Sequence, residues 1–400
     1  MISSTTRPNS RSNWSQYLLV ITVGVFLIAG AGRVQAQDET TIKIGAIVQL
    51  SGGASFLGPS EAAAYNMAAI EINRNGGLLG KQLELTVVDD ATDPAVANTD
   101  AKRLINRDGV AALFASSTSA SREAILTVVR QNRKTLFFYD AIYEGHACDD
   151  NMFVMGEVPE TQINPIVSYL QSASGGKRWY FVGNDYNWPQ NTAAIAEKVI
   201  PANGGKLVGT KFVPIGTADF SSILQDITAA HPDFVLVIML PGDVVAFMKQ
   251  FHNQGLQKSV TPIATLVEQS AIAAMGPASD GLLIPAGYFA GTTPEAKAFE
   301  QKYQATFGAN AAAQNFISIN GYDALHLWAL AVKKAGSLDK AAVAAALPTV
   351  SWNGPRGKVF YSAKTRHATF PIYLTRINGQ GKPEIIKDFG PVDPGPQCSF

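Results

Sequence analysis

The chain has 400 residues, 46% of them apolar and 16% charged, with 32 Lys and Arg balanced by 32 Asp and Glu. That length exceeds one compact core and predicts two domains, and the apolar content argues against disorder. The even charge lacks the basic face that phosphate backbones require, so no nucleic-acid partner is expected; two cysteines, Cys148 and Cys398, are too few for a disulfide-dense scaffold or a four-thiolate zinc site.

Arg7 and Arg11 precede an apolar run from Tyr17 to Ala31, which ends at Val34-Gln35-Ala36. A basic start, a run short of the roughly 20 residues of a membrane span, and small residues at the end read as a secretory signal cut after Ala36. The alternative is a retained anchor, which the short run disfavours. No cysteine follows the cut to carry a lipid, and no other stretch approaches a membrane-spanning length. The segment holds Arg7, Arg11 and Arg33 and no acid, so its removal leaves a net charge of −3. Export would place Cys148 and Cys398 in an oxidising compartment, where a lone pair is expected to be bridged. Such a bridge closes a very long loop, with a chain-entropy gain of at most about 5 kcal/mol. Two unpaired thiols are the alternative.

From Thr41 the pattern alternates strand and helix. Ile42–Val48 reads as a strand, Ser60–Asn73 as a helix stopped by Gly76-Gly77, and Gln82–Val88 as the next strand. Asp93 as N-cap and Pro94 at the first helical position open a helix that Gly109 ends. Strand Val110–Phe114, helix Ser121–Asn132 and strand Thr135–Tyr139 follow. The rhythm restarts with helix Ile163–Leu170, strand Arg178–Val182, helix Asn191–Ile200, strand Leu207–Val213 and helix Phe220–Ala230, capped by Asp219. Strand Asp233–Leu240, helix Gly242–Gln254, strand Pro262–Leu266 and helix Ser270–Met275 continue it. Pro294–Phe307, Asn320–Ala335 and Leu338–Leu347 read as helices, Gly354–Tyr361 and Pro371–Ile377 as late strands, and the Pro/Gly-rich tail from Gly390 as a surface segment. Apolar strands alternating with helices predict an α/β fold of two doubly wound parallel-sheet lobes. A ligand of such lobes sits at the carboxyl ends of the strands, in a shared cleft.

Chemistry is sparse. His146, His231, His252, His326 and His367 show no metal spacing. Gly76-Gly-Leu-Leu-Gly-Lys-Gln82 resembles a phosphate loop, but the glycine spacing is one short and Gln82 replaces the magnesium-binding hydroxyl, so it reads as a helix stop and turn. No nucleophile elbow is present, which argues against a hydrolase only in part, since triads need no local spacing. The informative residues lie at strand ends. Ala115-Ser-Ser-Thr-Ser-Ala-Ser121 opens a helix with hydroxyls and free N–H groups suited to a carboxylate or an amide carbonyl. Tyr186 and Trp188, in Gly183-Asn-Asp-Tyr-Asn-Trp-Pro189, either stack on a small planar ligand or pack the lobe core. Glu268 follows a strand and faces either the cleft, as an acceptor, or the surface.

At these residues the chain resembles the periplasmic substrate-binding proteins of branched-chain amino acid-type ABC transporters. The matching segments are Ile44-Gly-Ala-Ile-Val-Gln-Leu-Ser-Gly52, Ala69-Ile-Glu-Ile-Asn-Arg-Asn-Gly-Gly-Leu-Leu-Gly-Lys81, Asp89-Asp90 with Asp93-Pro94, the cluster at 116–121, and Ala218-Asp-Phe220. Tyr139-Asp-Ala-Ile-Tyr-Glu-Gly145 and Gly183–Pro189 are similar to the urea- and amide-binding branch, with Gln190 in place of the usual Arg and Asp140-Ala141-Ile142 departing from a polar, Pro-containing run. The resemblance implies a pocket lined by Ser119, Tyr139, Tyr186 and Trp188. In the amino-acid branch it implies a ligand carboxylate held near Ser117 and Ser119, and an ammonium held near Glu268. It implies crossover strands near Gly156–Pro159, Pro285–Tyr288 and Thr369–Tyr373. The expected division is a signal peptide at 1–36, a first lobe at 37–157 and 286–368, and a second lobe at 158–285 and 369–400 with the tail. The expected function is capture of a small polar solute (amino acid, amide or urea-like) in the periplasm by a monomer without cofactor, and its delivery to a membrane permease. A ligand-sensing regulator of the same fold and a secreted hydrolase are the rival readings.

Overall fold

The computed structural model describes residues 40–132 and 134–398; the segment read as a signal peptide lies outside the described residues. A first sheet holds β1 (Thr41–Val48), β2 (Gln82–Asp89), β3 (Ala112–Ala115), β4 (Leu136–Tyr139) and β5 (Met152–Val154), all parallel, in the order β2-β1-β3-β4-β5. The helices α1 (Gly58–Arg74), α2 (Pro94–Lys102) and α3 (Ser119–Asn132) connect them. β3 and β4 are buried at every residue, as strands covered by helices on both faces must be. Asp93 starts α2 by accepting from Ala95 N at 2.7 Å. The helix then loosens into a π turn at Arg103–Asp108 and stops at Gly109, whose φ of 70° suits glycine.

The second lobe carries α4 (Pro159–Ser174), β6 (Arg178–Asn184), α5 (Asn187–Ala202), β7 (Lys206–Val213), α6 (Ser221–Ala230), β8 (Phe234–Ile238), α7 (Pro241–Asn253), β9 (Thr261–Ala264), α8 (Gln269–Met275) and β10 (Leu283–Ala286). Its parallel strands run in the order β7-β6-β8-β9-β10. The chain then returns to the first lobe with α9 (Pro294–Phe307), α10 (Phe316–Ala335) and α11 (Lys340–Ala346), where Asn315 Nδ2 donates to Ser60 Oγ at 2.7 Å. It ends in antiparallel strands β11 (Trp352–Gly354), β12 (Gly357–Tyr361), β13 (Ala368–Ile377) and β14 (Pro383–Val392). β13 pairs with β12 at one end and with β10 further along.

The structure differs from the sequence reading in a few places. β5, β11 and β14 appear beyond the expected strands, β10 (Leu283–Ala286) begins ahead of the crossover expected near Pro285–Tyr288, and α4 runs from Pro159 through Pro165. The tail is not a loose surface segment. β14 pairs along β13, Gln397 and Cys398 are buried, and Cys398 is bonded to Cys148.

Where the chain passes between the sheets, three segments meet one buried cation. Glu157 lies between β5 and α4, Gly287 follows β10, and Phe370 belongs to β13. Arg356 Nε stands 2.8 Å from Asp323 Oδ2, its Nη2 donates to Asn320 Oδ1 at 2.5 Å, and its Nη1 lies 3.9 Å from Glu157 Oε1. The guanidinium carbon sits 4.5 Å from the Phe370 ring centroid. Glu157 also accepts from Gly287 N and Asn320 Nδ2, each at 3.1 Å. Gly287 must lack a side chain, because a Cβ there would come within 2.8 Å of Arg356 Nη1 and 2.9 Å of Phe370. Arg356→Leu would leave Glu157 and Asp323 buried without a countercharge. A stability loss of about 3–5 kcal/mol is expected, read as a lowered denaturant midpoint, with Arg356→Lys recovering part of it.

Candidate functional site

Loops that follow the carboxyl ends of β1, β7 and β8 meet, and such strand ends are where ligands of doubly wound sheets bind. Their rims touch: a Cβ on Gly53, just after β1, would lie 3.1 Å from Ile215 Cγ2 and 3.4 Å from Leu240 Cδ1 of the second lobe.

On the first-lobe side, the loop from β3 into α3 turns its hydroxyls toward the protein's own carboxyl groups. Ser116 Oγ donates to Glu61 Oε1 at 2.9 Å, and Ser119 Oγ donates to Glu144 Oε2 at 2.6 Å. The hydroxyls of Ser117 and Ser121 lie beside Asp90, easing the effect of burial, which still lifts its pKa to about 6. Tyr139, the last residue of β4, donates from its hydroxyl to Ser117 O at 2.8 Å. Arg122 lies three residues past Ser119 on α3. It is 2% exposed, its Nη2 meets Glu144 Oε1 at 2.8 Å, and its Cζ stands 5.2 Å from the Tyr139 ring and 4.7 Å from the Tyr143 ring. The Tyr143 hydroxyl and His367 Nε2 are 2.5 Å apart, which ties this wall to the residue preceding β13.

On the second-lobe side, Tyr186 precedes α5 and is half-buried. Burial, then the neighbouring oxygens of Tyr139 and Glu144 in the first lobe, push its phenol well above the ordinary pKa, so it remains an O–H donor. The structure therefore brings Ser117, Ser119 and Tyr139 together and sets Tyr186 across from Tyr139. It does not bring Trp188 or Glu268 to them. Trp188 is 3% exposed and packs in the second-lobe core, its ring 6.2 Å from that of Tyr186. Glu268 caps α8: its carboxylate accepts from Ala271 N, Ser270 N and Ser270 Oγ, each at 2.6 Å. Both of its oxygens are committed to the helix start.

Glu144 and Arg122 were not singled out in the sequence, although Glu144 stands inside the Tyr139–Gly145 motif and Arg122 one turn from Ser119. A cavity of about 450 Å³ beside them is bounded by Arg122, Glu144 and His146 on one side and Asn191 and Lys198 of α5 on the other. The loop behind Glu144 is held by the tail: His146 N donates to Gln397 Oε1 at 2.9 Å, and Cys148 is bonded to Cys398, 250 residues away. Among the described residues no cluster of His, Cys, Asp or Glu could hold a metal ion, and no helix is long and apolar enough to cross a membrane.

Two α/β lobes whose strand-end loops meet have the architecture of a two-lobed binding protein. Residues 41–382 match the periplasmic binding protein family, and the chain belongs to that family. Membership marks it as a binding protein rather than an enzyme. It is 24% identical over 364 residues to the Leu/Ile/Val-binding protein homolog 6 of Brucella suis, covering 89% of this chain and 91% of the relative. A solute-binding protein of R. palustris, solved with 4-hydroxybenzoate, superposes with a TM-score of 0.81 at 22% identity, over 89% of this chain and 98% of that one. Another from Rhodopseudomonas palustris BisB5, solved with 3,4-dihydroxybenzoic acid, gives 0.77 at 26% identity, over 89% and 98%.

The acids around the cleft have a consequence for stability. Burial raises Glu61 to about 8 and Asp140 to about 7, against the hydrogen bonds that Ser116 and Tyr65 give them. Groups whose folded pKa exceeds the unfolded value stabilise fully below the unfolded value and lose that contribution as pH rises through the folded one. Buried His367, held down to about 4, and His326, also lowered, favour the folded state less only below pH about 6.5, so they do not oppose the trend above it. Stability is expected to fall between pH 6.5 and 8, and Glu61→Gln to flatten that decline, as measured by denaturant titrations across the range.

Proposed function

We propose that the chain is an extracytoplasmic solute-binding protein that closes its two lobes on a small polar solute and presents it to the permease of an ABC transporter. The observation that carries this reading is the placement of Tyr186 from the second lobe opposite Tyr139 and Glu144 of the first, at rims already in contact. Contacts made by both lobes are available only when the cleft is closed, so a solute shifts the population toward the closed form by its differential affinity. The segments around Glu157, Gly287 and Phe370 then act as the hinge, dividing the lobes at 37–157 with 286–368 and at 158–285 with 369–400. Export through a signal peptide cut after Ala36, and action as a monomer without cofactor, belong to the same reading.

The solute class it favours is an amino acid or a short amide, in keeping with the Leu/Ile/Val-binding relatives and the Tyr139–Gly145 motif. A hydroxylated aromatic acid is the second reading. The 3,4-dihydroxybenzoate relative and the aromatic set Tyr139, Tyr143 and Tyr186 support it. Thermal shift and small-angle scattering of the purified protein against amino acids, amides, urea and hydroxybenzoates test it. A binder is expected to raise the melting temperature and compact the scattering curve, and Tyr186→Ala to weaken its binding by at least about tenfold. A melting temperature and scattering curve that no compound in the panel alters would overturn it.

A further inference from the structure

We propose that the first-lobe wall of the cleft is a hydrogen-bond-accepting wall set by Glu144, so the solute turns a donor group (ammonium, amide N–H or phenolic O–H) toward Ser119, Tyr139 and Glu144. This deepens the solute-binding reading and rests on it. It reverses the orientation implied by the resemblance, in which serines at this position hold the solute's carboxylate.

The argument is a count of hydrogens. A serine hydroxyl can hold a carboxylate only with its one hydrogen, and on Ser116 and Ser119 that hydrogen is already given away. Ser119 spends it on Glu144 at 2.6 Å, Ser116 on Glu61 at 2.9 Å, and Tyr139 on the Ser117 carbonyl at 2.8 Å. The lone pairs of Ser119 Oγ and Tyr139 Oη are what remain, and they accept. Glu144 also sets a carboxylate beside the first residue of α3, where helix geometry favours negative charge. A solute carboxylate placed there would face the Glu144 carboxylate.

Glu144 is fixed where a specificity-determining group needs to be. Arg122 neutralises it from behind at 2.8 Å, itself clamped between Glu123 at 2.8 Å and the faces of Tyr139 and Tyr143. The loop from Glu144 to Cys148 is tied to Gln397 and Cys398. Opposite, Tyr186 keeps its phenolic hydrogen and offers a donor to the other end of the solute. Lys198 at the mouth of the adjoining cavity supplies the cationic character that suits an anionic end.

The test is isothermal titration of purified protein with matched pairs differing in the donor: L-leucine and 4-methylpentanoate, propionamide and N,N-dimethylpropionamide, 4-hydroxybenzoate and benzoate. The donor-bearing member of whichever pair binds is expected to be favoured by at least about tenfold, since the partner leaves buried acceptors unpaired. Glu144→Gln, whose side-chain amide can donate to Ser119 and free its hydrogen, is expected to shrink that ratio to about threefold or less, with the melting temperature reporting whether the variant folds. A wild-type ratio below about threefold, or an equal loss for both members in a folded Glu144→Gln, overturns the accepting wall while leaving solute binding in place. The wild-type pairs decide alone if the variant does not fold. Silence from every probe would overturn the solute-binding reading and this inference with it.

Discussion

The buried guanidinium of Arg356 joins the segments through which the chain passes from one sheet to the other. Arg356 touches the three segments that pass between the sheets, and none of those contacts is optional. A cation removed from water must be met by fixed charge and hydrogen bonds, and here Glu157, Asp323 and Asn320 supply them. The cluster carries more acid than base. Asn320 Nδ2 reaches the carbonyl of Asp140 at 2.8 Å, and the Asp140 carboxyl takes the Tyr65 hydroxyl at 2.6 Å. Burial raises Asp323 to about 6, with Arg356 pulling it down.

Cleft and crossing share one stretch of backbone. Tyr139 ends β4 and meets the serine loop, its neighbour Asp140 turns into the Arg356 network, Tyr143 reaches His367 ahead of β13, and Glu144 returns to Ser119. Gly156 packs against this stretch so tightly that a Cβ would fall 1.7 Å from Ala141 O. A displacement of the wall is therefore felt at the crossings through packed, hydrogen-bonded neighbours, which is the physical condition for a solute to bias a two-state closure.

Much of the fold was legible because its signals are local. The α9 bounds, Pro294–Phe307, follow from a Pro at the helix start and a Gly after its end, and Asp93-Pro94 marks the start of α2 in the same way. β5 was missed because three residues carry no periodicity, and the start of β10 because Pro285 sits inside it. β14 is partly exposed along its length and lacks the apolar run that marked the parallel strands. The site was half legible. Ser119 and Tyr139 stand at strand ends, where topology sends ligands, but their hydrogen-bond partners are tertiary, and the direction of a hydroxyl is not written in a motif. The Arg356 cluster was invisible for the same reason, since its members are scattered along the chain from Glu157 to Phe370. Glu268 and Trp188 show the opposite hazard: chemically suggestive residues whose local duties, capping and packing, come first.

The Cys148–Cys398 bond has a topological effect. It converts everything between these residues into a covalent ring, which contains the whole second lobe. One proteolytic nick within the ring would leave both fragments attached, and the chain's last residues could not swing away from the loop that carries Glu144. Cys398 is thereby pinned beside the binding wall rather than at a distant pole of the molecule.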